Sequence, residues 1–143
     1  MTWMVVRVRG TVHSGAEIVE TLRHLHLTRA NHATIVPDVP SFVGMLHRVQ
    51  GYVTWGEVDP ETVGLLLRER GRTVAGTPLA EEALGEATRK VAERGLLEVP
   101  EVRPLFRLKA PKGGWRSTKR AFSLGGALGY RGRAINDLAR RMI

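Results

Sequence analysis

The first 70 residues alternate between strand-like and helix-like patterns, and this alternation constrains the fold of the 143-residue chain more than any other feature. β-prone runs cover residues 3–10, 33–36 and 52–55. Each run is followed by apolar residues at helical spacing. The order β-α-β-α-β-α predicts an α/β fold with helices packed on a sheet. Because the strands are few and the helices short, a small ferredoxin-like sheet fits better than a doubly wound nucleotide fold.

Two helix starts in this region carry specific capping signals. Ser14 and Glu17 form a capping-box pattern, which predicts the start of the first helix. Asp59 precedes Pro60, which combines a capping carboxylate with proline at the first helical position. We expect that helix, the third, to end at Gly71.

The remainder of the chain is less regular. Residues 77–95 have a weak helical pattern that starts at Thr77, and we expect Gly85 to divide it and the segment to lie outside the sheet as a helical insert. Residues 105–108 predict a further strand, and residues 110–124 an extended loop. A last helix is predicted from an apolar stripe at i, i+3, i+4 and i+7, formed by Ile135, Leu138, Ala139 and Met142.

Charge is divided unequally along the chain. Residues 1–102 carry 11 basic and 13 acidic side chains, whereas residues 103–143 carry 11 basic side chains and one acid. We therefore predict a core at 1–72, a helical insert at 73–102 and a basic extension at 103–143 that packs with the core as one domain. A basic extension of this kind indicates a polyanionic partner, although a solvated tail that aids solubility is an alternative.

Several classes of function lack the residues that they require. There is no cysteine, which excludes disulfides, a thiolate nucleophile and a cysteine zinc site. There is no P-loop motif, and the glycines of residues 125–132 lack the downstream acid of a dinucleotide site. The five histidines show no metal-ligand spacing. No apolar run is long enough to span a membrane, and Arg7 and Arg9 interrupt the first one, so we expect a soluble, intracellular protein without cofactor or metal.

The chemistry of the last third suits RNA. Lysine and arginine neutralise phosphates, and Trp115 and Tyr130 are candidates for stacking on unpaired bases. Trp115 folded back onto the core is the alternative reading, and core packing is the preferred reading for Phe106 and Phe122. The predicted RNA-binding residues are Arg7, Arg9, Lys109, Lys112, Trp115, Arg116, Lys119, Arg120, Tyr130, Arg131 and Arg133.

Several strings in the chain also resemble a known family. VVRVRG (5–10), LHLTRANHATIVPD (25–38), GML (44–46), YVTWGEVD (52–59), PLFRLKAPKGGW (104–115) and KRAFSLGGALGYRG (119–132) occur in this order. Together they resemble large-subunit ribosomal protein thirty, the L-thirty family, in its archaeal and eukaryotic branch. The start of the chain directly at the first strand is similar to the archaeal form.

The resemblance implies a ferredoxin-like β-α-β-α-β core, no catalytic residues and a cytoplasmic, ribosomal location. It also implies binding to large-subunit rRNA near 5S rRNA, with neighbouring ribosomal proteins as further partners. Two alternatives stay open from the residues alone. One is a free-standing RNA regulator or RNA chaperone, and the other is an RNA-directed enzyme that uses His32 or His47.

Overall fold

The structure is a computed structural model that describes residues 2–9, 15–96, 99–115 and 117–143. Within these ranges the chain forms a five-stranded sheet and five α-helices. Two single turns of 3₁₀ helix, at Phe122–Leu124 and Gly132–Ala134, lie in the last part of the chain. In chain order the main elements are β1 (Thr2–Arg7), α1 (Ala16–His24), β2 (His32–Pro37), α2 (Pro40–Arg48), β3 (Val53–Glu57), α3 (Pro60–Arg70), α4 (Glu81–Arg94), β4 (Phe106–Arg107), β5 (Gly129–Tyr130) and α5 (Ile135–Met142).

The sheet has the strand order β4-β2-β1-β3-β5. Strand β1 pairs antiparallel with both β2 and β3, so Met4 lies opposite Ile35 on one side and Gly56 on the other. Strand β4 extends the β2 edge in antiparallel orientation, and β5 extends the β3 edge in parallel orientation. The predicted ferredoxin-like α/β fold is confirmed.

Strand β1 is buried on both of its faces, which explains its nearly continuous apolar sequence. Met4 and Val6 point into a core cluster that α3, α4 and α5 cover. Val5 points into a second cluster, which α1 and α2 cover. Helices therefore cover both faces of the sheet.

The start of α3 confirms its predicted cap. The Asp59 carboxylate accepts a hydrogen bond from the backbone N–H of Thr62 at 2.8 Å. Burial opposes ionisation of Asp59, but the hydrogen bonds from Thr62 and the charges of Arg140 and Arg133 outweigh it and lower the pKa of Asp59. Helix α1 begins at Ala16 with Gly15 as its N-cap, and Ser14 of the predicted capping box lies outside the described residues.

Helix α4 corrects two sequence expectations. It is continuous across Gly85, and its N-cap is Ala80 and not Thr77. It packs on α3 and contacts β1 and β2, with Val91 fully buried in the core. A glycine inside a helix costs only about 1 kcal/mol, and burial of an apolar face is sufficient to offset that cost.

The segment after β4 is built into the core. Ile135, Leu138, Ala139 and Met142 of α5 are fully buried, as their spacing predicted. The segment approaches β3 so closely that a Cβ atom added to Gly56 would lie 1.9 Å from the carbonyl oxygen of Gly132. The pairing of β5 with β3 was not predicted, because a two-residue strand has no readable alternation.

Candidate nucleic-acid interface

The predicted RNA-binding residues differ in how accessible they are. Trp115 and Arg9 are half-buried, Tyr130 is 52% exposed, and Arg7 and Arg131 are only 5% and 8% exposed. Arg116 lies outside the described residues. The exposed cations of the predicted set are Lys109, Lys112, Lys119, Arg120 and Arg133.

A cleft of about 630 Å³ opens between helix α5 and residues 114, 115, 122, 126 and 127. We call it the carboxy-terminal cleft. Two aromatic side chains and three arginines line it, together with two glycines, an alanine and one acid. Its lining residues are Gly114, Trp115, Phe122, Gly126, Ala127, Arg131, Asp137, Arg140 and Arg141.

Arg131 forms part of the wall of this cleft from a buried position. Its Nε donates to Thr54 Oγ1 at 2.7 Å, and one terminal nitrogen donates to the Ala127 carbonyl at 2.8 Å. Its guanidinium carbon lies 4.8 Å from the centre of the Phe122 ring, in cation–π contact. Burial, aided by the nearby charge of Arg141, lowers the pKa of Arg131 to about 10, so the side chain remains charged at neutral pH. Arg131 therefore stabilises the loop and supplies positive charge to the cleft.

Arg7, which the sequence predicted to contact phosphate, is also buried, and its side chain forms hydrogen bonds within the protein. Its Nε donates to the Arg9 carbonyl at 2.9 Å, and a terminal nitrogen donates to the Leu27 carbonyl at 2.9 Å. Burial lowers the pKa of Arg7. Arg9 is less enclosed, with its guanidinium 5.4 Å from the ring centre of Tyr52 and a 3.3 Å hydrogen bond to the Gly51 carbonyl.

The aromatic side chains divide between core and cleft. Phe106 is fully buried, as predicted. Phe122 is 38% exposed, so its predicted core position is wrong, because its ring covers the Arg131 guanidinium instead. Trp115 packs against the core and donates from Nε1 to Asn31 Oδ1 at 3.2 Å, yet it also lines the cleft. The indole is thereby held in a fixed orientation next to open space.

Tyr130 is exposed and close to β3. Its hydroxyl donates to the Glu57 carboxylate, and its ring centre lies 6.4 Å from that of Trp55. The hydrogen bond to Glu57 is the main cause that raises the pKa of Tyr130, because it favours the protonated phenol.

The phenol of Tyr130 is therefore expected to ionise above the ordinary tyrosine value of about 10. A folded-state pKa above the unfolded value means that this contact stabilises the fold below about pH 10 and is lost as the pH rises through the folded pKa. The pKa of Tyr130 is measured by ultraviolet titration of the phenolate in a Tyr52→Phe variant, which retains Tyr130 as its one tyrosine. Glu57→Gln should lower the observed pKa, and ionisation of Tyr130 at or below 10 in the parent would contradict the contact.

Two other kinds of site were sought in the part of the chain that the structure describes. No group of three or more histidine, aspartate or glutamate side chains there could hold a metal ion. No helix among the described residues is both long and apolar enough to cross a membrane.

Comparison with known proteins identifies the family to which the chain belongs. A family model described as Ribosomal protein L30p/L7e matches residues 3–53. A protein of Methanopyrus kandleri named "Large ribosomal subunit protein uL30" is 42% identical over 149 residues, which cover 95% of this chain and 100% of the relative. The chain belongs to the ribosomal protein L30p/L7e family.

Two further uL30 proteins extend the same likeness over almost the full length of each partner. The protein from Korarchaeum cryptofilum is 46% identical over 151 residues, with 97% of this chain and 93% of the relative covered. The protein from Methanococcus maripaludis is 40% identical over 154 residues that cover both chains completely. Because these alignments include the last third of the chain, the uL30 likeness includes the carboxy-terminal cleft.

Membership of the L30p/L7e family settles the functional class. The chain is a ribosomal protein, a structural constituent and not an enzyme, and its location is the ribosome in the cytoplasm. This excludes the RNA-directed enzyme that used His32 or His47.

Two cations of the cleft were missing from the sequence-predicted set. Arg140 and Arg141 lie on α5 beside the cleft, and both are exposed. The helical period of α5 already placed them off its buried stripe, which is the signal that could have identified them.

Proposed function

We propose that this L30p/L7e protein is a constituent of the large ribosomal subunit that binds rRNA through its carboxy-terminal surface. We define this surface by its exposed cations and by the cleft beside them. The names of the relatives support the large subunit as its location. The exposed cations of the carboxy-terminal surface are Lys109, Lys112, Lys119, Arg120, Arg133, Arg140 and Arg141.

The observation that carries the proposal is the concentration of cations in residues 103–143, which carry 11 basic side chains and one acid, whereas residues 1–102, the first part of the chain, carry 11 basic and 13 acidic side chains. In the first part, Arg23 pairs with Glu20, and Arg48 Nε lies 3.4 Å from a Glu17 carboxylate oxygen. In the carboxy-terminal surface, only Arg140 forms an ion pair among the described residues, with 4.0 Å between its nitrogen and Asp137 Oδ1. Cations without an acidic partner contribute favourable free energy to the binding of a polyanion, because neutralising each phosphate releases a counterion.

The carboxy-terminal cleft adds a second kind of contact. Trp115 and Phe122 offer apolar ring surface, and the exposed Gly114 leaves the backbone next to Trp115 accessible. Aromatic side chains beside arginines are typical of sites that hold unpaired bases of RNA. We propose that the cleft accepts an unpaired nucleotide while the surrounding cations contact the adjoining phosphates.

Binding to large-subunit rRNA should depend steeply on salt. If about six phosphates are neutralised, the slope of log K against log salt should be roughly −4 to −5, at 0.7–0.9 per phosphate. Filter binding of an rRNA transcript from 0.05 to 0.5 M salt measures this slope. A nearly flat titration would overturn the electrostatic mechanism.

Sedimentation separates the ribosomal proposal from a free-standing RNA regulator. We expect the protein to co-migrate with large subunits in stoichiometric amounts on sucrose gradients in high salt. Recovery mainly at the top of the gradient, with RNA affinity retained, would favour the regulator. We further propose a position near 5S rRNA, which the family resemblance supports, and crosslinking from the carboxy-terminal surface in intact subunits tests it.

A further inference from the structure

A second basic pocket lies at the β4 edge of the sheet, and the carboxy-terminal surface does not include it. Its volume is about 240 Å³. Arg70 is the last residue of α3, Arg72 follows it closely, and Arg107 lies in β4. The pocket shares no lining residue with the carboxy-terminal cleft. The residues that line this β4-edge pocket are Arg70, Arg72, Gly76, Arg103, Leu105 and Arg107.

Backbone pairing brings these distant arginines together. The N–H of Arg103 donates to the Arg72 carbonyl at 2.8 Å, and Thr73 forms an antiparallel bridge with Val102. The turn that follows Thr73 has Gly76 at a φ of +91°. A terminal nitrogen of Arg103 lies 3.1 Å from where a Cβ atom on Gly76 would be, so the guanidinium lies against this turn. The pocket is therefore a product of the tertiary fold.

The charge in the β4-edge pocket is not compensated by the protein. No acidic residue is among its lining residues, and none of the four arginines has an ion-pair partner within the described ranges. Arg72 donates to the Gly71 carbonyl at 2.7 Å, which is a backbone contact. Of the four, Arg107 also acts on His32, whose pKa is lowered by burial and by the charges of Arg107, Arg29 and Arg7. Like charges that line one small pocket repel one another, and a bound anion would relieve that repulsion.

The shape of the pocket selects the kind of anion. Arg70, Arg72 and Arg103 are half-buried, so their stems are held in place, whereas Arg107 is exposed. Leu105 is the only apolar side chain in the lining and there is no aromatic one, so the pocket offers nothing for a base to stack on. Its volume is below the roughly 300 Å³ of small-molecule sites. Guanidinium groups bind phosphate oxygens with two parallel hydrogen bonds, which suits a site of this size.

We infer that the β4-edge pocket binds backbone phosphates of a second rRNA segment, separate from the segment at the carboxy-terminal surface. The inference rests on the proposed rRNA-binding function. An RNA strand presents successive phosphates at short intervals, and this charge density matches four arginines around one small pocket. An acidic segment of a neighbouring protein is the competing occupant that the experiment must distinguish.

The position of the pocket has a consequence for assembly. Strands β4 and β5 are the two edges of the five-stranded sheet, and four strand spacings separate these edges by about 19 Å. The carboxy-terminal cleft is built on the β5 side, because Arg131 follows β5 and donates its N–H to the Trp55 carbonyl at 2.9 Å. One protein with a phosphate site at each edge would hold two RNA segments at a fixed separation.

The test compares two full-length variants that lose equal charge. The pocket variant is R70Q/R72Q/R103Q/R107Q, and the control variant is R23Q/R48Q/R89Q/R94Q, whose arginines are all exposed and lie outside both basic sites. Each is bound to a large-subunit rRNA transcript and analysed by hydroxyl-radical footprinting and salt titration. We expect the pocket variant to lose one protected segment and keep the other. Its affinity for the rRNA transcript should fall about 10- to 100-fold at 0.15 M salt. The slope of log K against log salt should become shallower by about 2.

Three other results have definite meanings. A footprint and slope equal to those of the control variant would overturn the inference. An intact rRNA footprint with lost binding of an acidic ribosomal protein would overturn it in favour of a protein partner. No salt-dependent binding by the parent protein would instead defeat the proposed function itself. If the pocket variant does not fold, the exposed single change Arg107→Gln should still weaken protection of the same segment, and failure to do so counts against the pocket.

Discussion

Glutamine substitution of Lys109, Lys112, Lys119 and Arg120 is expected to lower affinity for large-subunit rRNA by about 100- to 500-fold at 0.15 M salt. Each lost phosphate contact removes 0.7–0.9 from the salt slope, and four contacts together give this factor. All four side chains are exposed, so the change should leave the fold intact. Filter binding with an rRNA transcript measures the affinity, and thermal unfolding checks the fold.

The matched control for this experiment is R23Q/R48Q/R89Q/R94Q, which removes the same number of positive charges from the other part of the chain. Two of its arginines already pair with glutamates, and exposed pairs contribute little to stability. We expect its affinity to fall by less than about 5-fold. Equal losses for both variants would mean that net charge, and not the position of the carboxy-terminal surface, determines binding.

Leu138→Ala is expected to lower the free energy of unfolding by about 2–5 kcal/mol. Leu138 is fully buried in the core cluster that α5 shares with α3, α4 and β1. Truncation there leaves a cavity between packed elements, and the loss is a large part of the stability of an ordinary domain. Urea unfolding followed by circular dichroism measures it.

Arg141→Ala on the same helix is the control, because Arg141 is exposed and alanine favours helix. We expect a change within about 0.5 kcal/mol. A small effect of Leu138→Ala would show that α5 is not part of the cooperative core. If α5 is part of it, deletion of residues 101–143 removes buried side chains as well as cations. The RNA-binding role is therefore better tested by surface substitutions than by truncation.

The sequence predicted the parts of the fold that depend on local chemistry. The Asp59 cap and the α5 stripe follow from residues within one or two helical turns, and both are observed. The pairing of β5 with β3 joins Thr54 to Gly129, and no local pattern contains that information. The continuity of α4 across Gly85 depends on packing against α3, which propensity does not include.

In the candidate site, too, some features follow from the local sequence and others depend on the tertiary fold. The exposed lysines of the carboxy-terminal surface follow from charge blocks along the chain. The burial of Arg7 and Arg131 does not, because arginine is ordinarily exposed and only the fold supplies the carbonyls and the hydroxyl that satisfy these two. The β4-edge pocket was missed because Arg70 and Arg72 lie in the part of the chain with excess acid, so averaging along the sequence concealed them.

The parallel pairing of β3 with β5 has a consequence for how the protein is made. Until residues 129–142 leave the translating ribosome, the nascent chain has an open β3 edge and an uncovered apolar sheet face. Unpaired edges and exposed apolar surface promote aggregation during synthesis. Most of the polypeptide must therefore wait for residues 129–142 before the core can close, and a chaperone that binds unfinished chains would protect it in that interval.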